Sequence, residues 1–246
     1  MLKIAVLLLL LPSLINAQVI KTIFGDIQEQ NPLIVELLNH KAVQRLKDID
    51  QSGPTRYFYD QFPPFSRYSH SVGVYALLKK YNLSIDEQIA GLMHDASHTA
   101  FSHLADYIMQ PENNQLDSYQ DAVHEAFLSK MGVNLVLQKY AKTLQNIDPK
   151  SPKYQALERQ LPDMCADRIE YNLHTAKVFH DLNDTDINAI LAALKYENNQ
   201  WYFTDLVQAK KFAKLSTYYT RNFWGSPSNA ASYVIFGNLV KYAIAQ

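Results

Sequence analysis

The chain holds one cysteine, Cys165, among its 246 residues. A single thiol excludes an internal disulfide and any zinc centre built from several cysteines. Glycine is scarce, at seven residues. That excludes a Gly-rich phosphate cradle and argues against an all-β architecture, whose tight turns need residues free to take positive φ. The charges nearly cancel, at −1. With no net basic field and no basic patch interleaved with aromatics, no stable nucleic-acid binding is expected. Hydrophobic residues make up 48% and charged residues 19%, the balance of an ordinary globular domain. Against this plain background stand sixteen tyrosines and eight histidines, five of the latter between His70 and His124.

The first seventeen residues read MLKIAVLLLLLPSLINA. A lysine precedes an apolar run from Ile4 to Leu11, and a small residue, Ala17, marks a cleavage site. This is the pattern of a secretory signal peptide, with export to the cell exterior or a periplasm and one mature domain over residues 18–246. The run falls short of the ~20 apolar residues of a comfortable span, so no membrane span remains after cleavage. A reporter fused behind Met1–Gln18 is expected to be secreted and cut after Ala17. Cytosolic retention of the uncut fusion would remove this argument.

The rest reads as mainly α. Asn31 caps, and Pro32 opens, an amphipathic stretch running to Ile49. Helical spacing follows over 69–81 and, from a Ser84 cap, up to His94. Asp95 to Ala100 has no period and predicts a turn. Further helices are expected over 101–109, 118–130, 135–144, 154–160, 163–176, 184–194, 205–223 and 228–244. Aromatic runs flanking Glu197-Asn198-Asn199 predict one small β-hairpin near the C-terminal third. No internal repeat or linker divides the chain, which predicts a single helical bundle.

Within the histidine-rich window, His70, the adjacent pair His94-Asp95, and Asp167 mix imidazole nitrogen with carboxylate oxygen. That donor set suits a borderline divalent metal such as Fe, Mn, Co, Ni or Zn. Neighbouring residues such as His94 and Asp95 can both ligate only where the backbone turns, and the helical period ends there. His40, His174 and His180 read as ordinary hydrogen-bonded histidines.

The order H…HD…D resembles the HD superfamily of metal-dependent phosphohydrolases. The likeness extends through Arg67-Tyr68-Ser69-His70-Ser71-Val72-Gly73-Val74, Ile89-Ala90-Gly91-Leu92-Met93-His94-Asp95, His98 and Phe101-Ser102-His103. With His124-Glu125 and Ala166-Asp167-Arg168-Ile169-Glu170-Tyr171 it is similar to the branch of deoxynucleoside-triphosphate triphosphohydrolases. The resemblance implies a helical HD-type fold, a metal held by His70, His94, Asp95 and Asp167, and a phosphorylated small-molecule substrate, with a nucleotide favoured. It implies that His124, with Glu125 beside it, handles a proton or orients the nucleophile. Gln51, Ser52, Arg67, His98, His103, Arg168 and Tyr171 would contact substrate, His98 and His103 at its phosphate or at a second divalent ion. The guanidinium forks would grip phosphate oxygens.

Departures from the branch pattern fall on Ala96-Ser97 and Thr99-Ala100 in the loop, and on Ser52 and Thr175, where the branch carries an apolar residue and an acid against the sugar. Two alternatives remain: a two-metal phosphodiesterase using His98, His103 and His124 as extra ligands, and a metal-binding protein of the same fold without catalysis. A zinc-protease reading of His94-Asp95-x-x-His98 fails, because that chemistry needs Glu beside the first histidine and Asp95 is one methylene short. Oligomeric state is not legible.

Overall fold

The computed structural model describes residues 17–58, 64–109 and 118–246. The expected export signal, apart from Ala17, lies outside the described residues. The chain first forms an antiparallel hairpin, β1 (Gln18–Thr22) and β2 (Gly25–Glu29), with Ile20 opposite Ile27. This hairpin adds to the single one expected. Each of its strands buries only one side chain, Ile20 and Glu29, so it leaves little alternation in the sequence.

Asn31 caps α1 (Pro32–Leu38) as expected, its Oδ1 accepting from the Leu33 amide at 3.0 Å. The expected helix to Ile49 then breaks. His40 is extended, and its Nδ1 accepts from the Ala42 amide to start α2 (Lys41–Gln44), which gives way to a 3₁₀ turn over Arg45–Asp48. After α3 (Thr55–Phe58) comes α4 (Arg67–Lys80), starting two residues earlier than its apolar spacing suggests because Ser66 caps the Ser69 amide. Helices α5 (Ile85–Met93), α6 (Leu104–Met109), α7 (Tyr119–Met131) and α8 (Val133–Gln138) follow. Gly132, at φ +85°, makes the turn between the last two. Then come α9 (Ala166–Val178), α10 (Asp184–Ala193), β3 (Leu194–Glu197), β4 (Gln200–Phe203), α11 (Leu206–Tyr219) and α12 (Pro227–Ile244). The β3–β4 turn uses Asn198 and Asn199 at φ 50° and 60°, the left-handed region that asparagine tolerates.

Two expected helices shrink or vanish. Ala141, at φ 55°, keeps α8 from running on to Leu144. Residues 154–160 form turns, because distant partners take their backbone groups. The Glu87 carboxylate accepts from the Ala156 and Leu157 amides, and the Ala156 carbonyl accepts from the Ala166 amide and the Trp201 indole.

Helix α4 is the axis of the bundle and has no solvent face along most of its length. Val74, Leu77 and Leu78 pack with α9, α10 and the β3–β4 hairpin. Val72 and Tyr75 pack with α1, α5 and α8. Gly91 lets α5 lie close against α4, since a Cβ there would come within 2.5 Å of Leu78 Cδ1. Two core clusters thus sandwich one helix, which fixes where His70 points. Among the described residues no helix is long and apolar enough to cross a membrane.

Candidate metal centre and substrate cavity

Three elements bring the expected donors together. His70 lies on the buried axis helix α4. His94 ends α5, just before the turn. Asp167 sits in the first turn of α9, where its charge also favours the helix N-terminus. His70, His94 and Asp167 each offer one ligand atom, all within 4.8 Å of one another. His70 Nε2 is 3.2 Å from His94 Nε2 and 2.9 Å from Asp167 Oδ1. Asp95 stands beside them, Oδ1 3.5 Å from His94 Nε2 and Oδ2 3.8 Å from His70 Nε2.

The outward contacts of the rings aim these nitrogens inward. His94 Nδ1 donates to the Gly91 carbonyl at 2.7 Å, which leaves Nε2 as the nitrogen that can give up its proton to a cation. His70 Nδ1 donates to the Glu170 carboxylate, with the same result. Histidines that bind metals are oriented in this manner.

The electrostatics favour a cation at this point. Burial pushes the His70 imidazolium down, yet Glu170 and Asp167 overcome it and lift it to about 10. His94 rises to about 9 in the same way, with burial opposed chiefly by Asp95 and Asp167. Burial would raise the Asp167 and Asp95 carboxyls, but their histidine partners, and Arg67 for Asp95, hold both below the usual range. A bound divalent ion would replace those imidazolium protons, so the donor set fits a metal.

Other expected residues take different places. Arg67 is 1% exposed, and each guanidinium nitrogen already has an acceptor. Nη1 donates to Asp95 Oδ2 at 2.7 Å, Nε to Ser102 Oγ at 2.8 Å and Nη2 to the Gln51 carbonyl at 3.3 Å. It braces Asp95 from behind and is not the expected phosphate clamp. Arg168 donates to the Asp163 and Arg159 carbonyls and so fastens the loop before α9 instead of reaching for phosphate. Glu125 is exposed and accepts from Gln145 Nε2 at 3.0 Å, so it does not assist His124. His98 Nε2 donates to Asp95 Oδ1 at 3.1 Å. Among the described residues His98, His103 and His124 do not converge on a common point, contrary to the two-metal alternative.

His124 is buried on α7. Its Nδ1 is 2.8 Å from Ser97 Oγ, and its Nε2 has no partner among the described residues. Burial lowers it to about 4, with the nearby His94 adding to the effect, so it is neutral at pH 7. Burial likewise takes His98 down to about 3.

Tyr171 and Thr175, one and two turns beyond Asp167 on α9, wall a cavity of about 260 Å³. Phe65, Tyr171, Trp224 and Tyr233 supply aromatic walls, and Gln51, Ser52, Thr175 and His103 supply polar groups. Asp167, Tyr171 and Thr175 lie on successive turns of α9, so one helix face carries a metal donor at one end and cavity wall at the other. Gln51 Oε1 is buried with no partner among the described residues.

Sequence reasoning missed several residues. Glu170 is fully buried between His70 and His174. Ser97 and Gln120 frame His124, and Gln120 Nε2 also donates to the His94 carbonyl at 3.0 Å. Glu158 and Cys165 form a second close group around Asp167, and burial with Asp167 lifts Glu158 to about 7. Only the Glu at position 170, three after Asp167 on one helix, left a sequence signal.

A family model described as HD domain matches residues 67–162, a span that holds all of these histidines except His174 but ends before Asp167. The chain is 31% identical over 214 residues to the uncharacterized protein YdhJ of Bacillus subtilis, covering 86% of this chain and 64% of that one. It is 28% identical over 224 residues to the metal-dependent phosphohydrolase cns2 of Cordyceps militaris, covering 89% and 64%. It therefore spans a little under two thirds of the length of both. A shorter match, 33% over 112 residues, links 39% of the chain to 18% of the deoxynucleoside triphosphate triphosphohydrolase SAMHD1 of Danio rerio. A crystal structure of a hypothetical protein from Aquifex aeolicus shares the fold, with a TM-score of 0.69 at 15% identity, covering 94% of this chain and 66% of that one.

Proposed function

We propose that the chain, whose residues 67–162 match the HD domain, is a metal-dependent phosphohydrolase that hydrolyses a phosphoester or phosphoanhydride of a nucleotide. The observation that carries this reading is the meeting of His70, His94 and Asp167 beside an aromatic-walled cavity on the same face of α9. His70, His94 and Asp167, with Asp95 alongside, would hold a divalent transition metal, which would supply Lewis acidity toward water and a phosphoryl oxygen. The chain itself does the remainder. Asp95 stays ionised because Arg67 and His98 hold it. Neutral His124, anchored through Ser97, presents Nε2 to take up a proton or align the attacking water. Phe65, Tyr171, Trp224 and Tyr233 offer faces on which a base can stack. The experiment is a screen of purified protein with Mn, Co, Ni, Fe and Mg against a nucleotide panel, with the released phosphate, pyrophosphate or triphosphate identified. Turnover of no nucleotide with any metal would overturn the reading.

The sugar side of the cavity leads to a specificity prediction. Ser52 and Thr175 both line it, and their small hydroxyls leave space and a hydrogen-bonding partner for a 2′-hydroxyl. A site that can pair a hydroxyl has no basis for rejecting it, so discrimination falls to about 1 kcal/mol. Matched ribo- and deoxyribonucleotides are expected to show similar kcat/KM, and Ser52→Leu should shift the ratio toward the deoxy form. A strong deoxy preference in the wild type, unchanged by Ser52→Leu, would refute this.

A further inference from the structure

We propose that Glu170 is a positioning residue that fixes the His70 ring for metal binding and ties it, through His174, to the wall of the substrate cavity. The proposal rests on the assignment of His70 as a metal donor.

One carboxylate serves two imidazoles here. Glu170 Oε2 accepts from His70 Nδ1, and Oε1 accepts from His174 Nδ1 at 2.8 Å. Glu170 is 0% exposed, so both contacts lie away from water, where a hydrogen bond to a charged group is strong and its loss costly. His70 and Glu170 are 100 residues apart in sequence and come from different helices.

The fold has made room for this carboxylate. A Cβ at Gly73 would lie 2.1 Å from Glu170 Oε1 and 2.6 Å from its carboxyl carbon. Gly73 sits in mid-helix on α4, where glycine is less favourable than alanine. Its absent side chain is the space in which Glu170 reaches His70, one turn away on the same helix.

The other end of the relay is aromatic. The His174 ring stacks on Phe65, with centroids 4.2 Å apart and planes 20° apart. Phe65 is a wall of the cavity. A ligand pressing on Phe65 thus bears on His174, then on Glu170, then on the ring that faces the metal.

The test measures metal affinity directly, by equilibrium titration of Mn²⁺ into metal-free wild type, Glu170→Gln, Glu170→Ala and Gly73→Ala. Folding is followed by circular dichroism. Loss of such an outer partner typically weakens metal binding 10–100-fold. We expect that range for Glu170→Ala and a smaller loss for Glu170→Gln, which can still accept from His70 but cannot accept from both rings. Gly73→Ala, which keeps the carboxylate but displaces it, should weaken Mn²⁺ to a similar extent. Turnover should recover in Glu170→Gln as Mn²⁺ is raised. If Glu170→Ala fails to fold, the near-isosteric Glu170→Gln and the Gly73→Ala variant decide. Wild-type Mn²⁺ affinity in folded Glu170→Gln and Gly73→Ala would overturn the proposal. Failure of the wild type to bind Mn²⁺ would instead overturn the metal centre itself.

Discussion

Asp167→Ala and His94→Ala are each expected to strip the metal and abolish turnover while leaving the helical fold in place. Each change deletes one of the three donors that converge among the described residues. The structural losses are small by comparison. Asp167 gives up its place in the first turn of α9 and its contact with His70 Nε2, after which His70 can shed its proton and stay buried as neutral imidazole, and His94 gives up one hydrogen bond to Gly91, about 0.5–1.5 kcal/mol. A domain with about 5–15 kcal/mol of stability survives either. Elemental analysis of both proteins, beside a circular dichroism spectrum, is the check. Full metal occupancy in both variants would show that the centre lies elsewhere.

His124→Ala should lower turnover by about 10² to 10⁴, the usual contribution of a general acid or base. The ring is buried, fixed through Nδ1 by Ser97, and left with a free Nε2, which is the geometry of a proton acceptor held ready. Metal occupancy should barely change, because His124 does not belong to the converging donors. Marked metal loss in this variant would favour the two-metal alternative. Burial keeps the ring neutral down to about pH 4, so its own protonation should not limit the rate at pH 6–7. A rate that falls with an apparent pKa near 6.5 in the wild type and not in His124→Ala would contradict that burial effect.

Much of this molecule was legible in its sequence. Scarce glycine and a repeating helical spacing excluded an all-β chain, and the two-asparagine turn between aromatic runs marked the β3–β4 hairpin. The loss of period after His94 located the turn that lets Asp95 stand beside it. These are local properties: a cap, a turn residue or a face of a helix acts on its neighbours within a few positions, so it leaves a short-range mark. The donors His70, His94 and Asp167 were legible because their order and chemistry survive in one dimension.

What those donors lean on was decided only in three dimensions. Arg67 looked like a phosphate clamp until Asp95 and Ser102, 28 and 35 residues away, were seen to occupy its guanidinium. His174 looked like a bystander until Glu170 joined it to His70. Residues 154–160 have helical spacing but gave their backbone bonds to Glu87, about 70 residues earlier. Gly73 gained its meaning only from a carboxylate arriving on another helix. Sequence period tells which face of a helix is buried, but not which distant side chain will meet it there. In a buried site most polar atoms find a partner, and the packing of α4 between two clusters of core side chains settled which partner Arg67, His70 and Glu170 found.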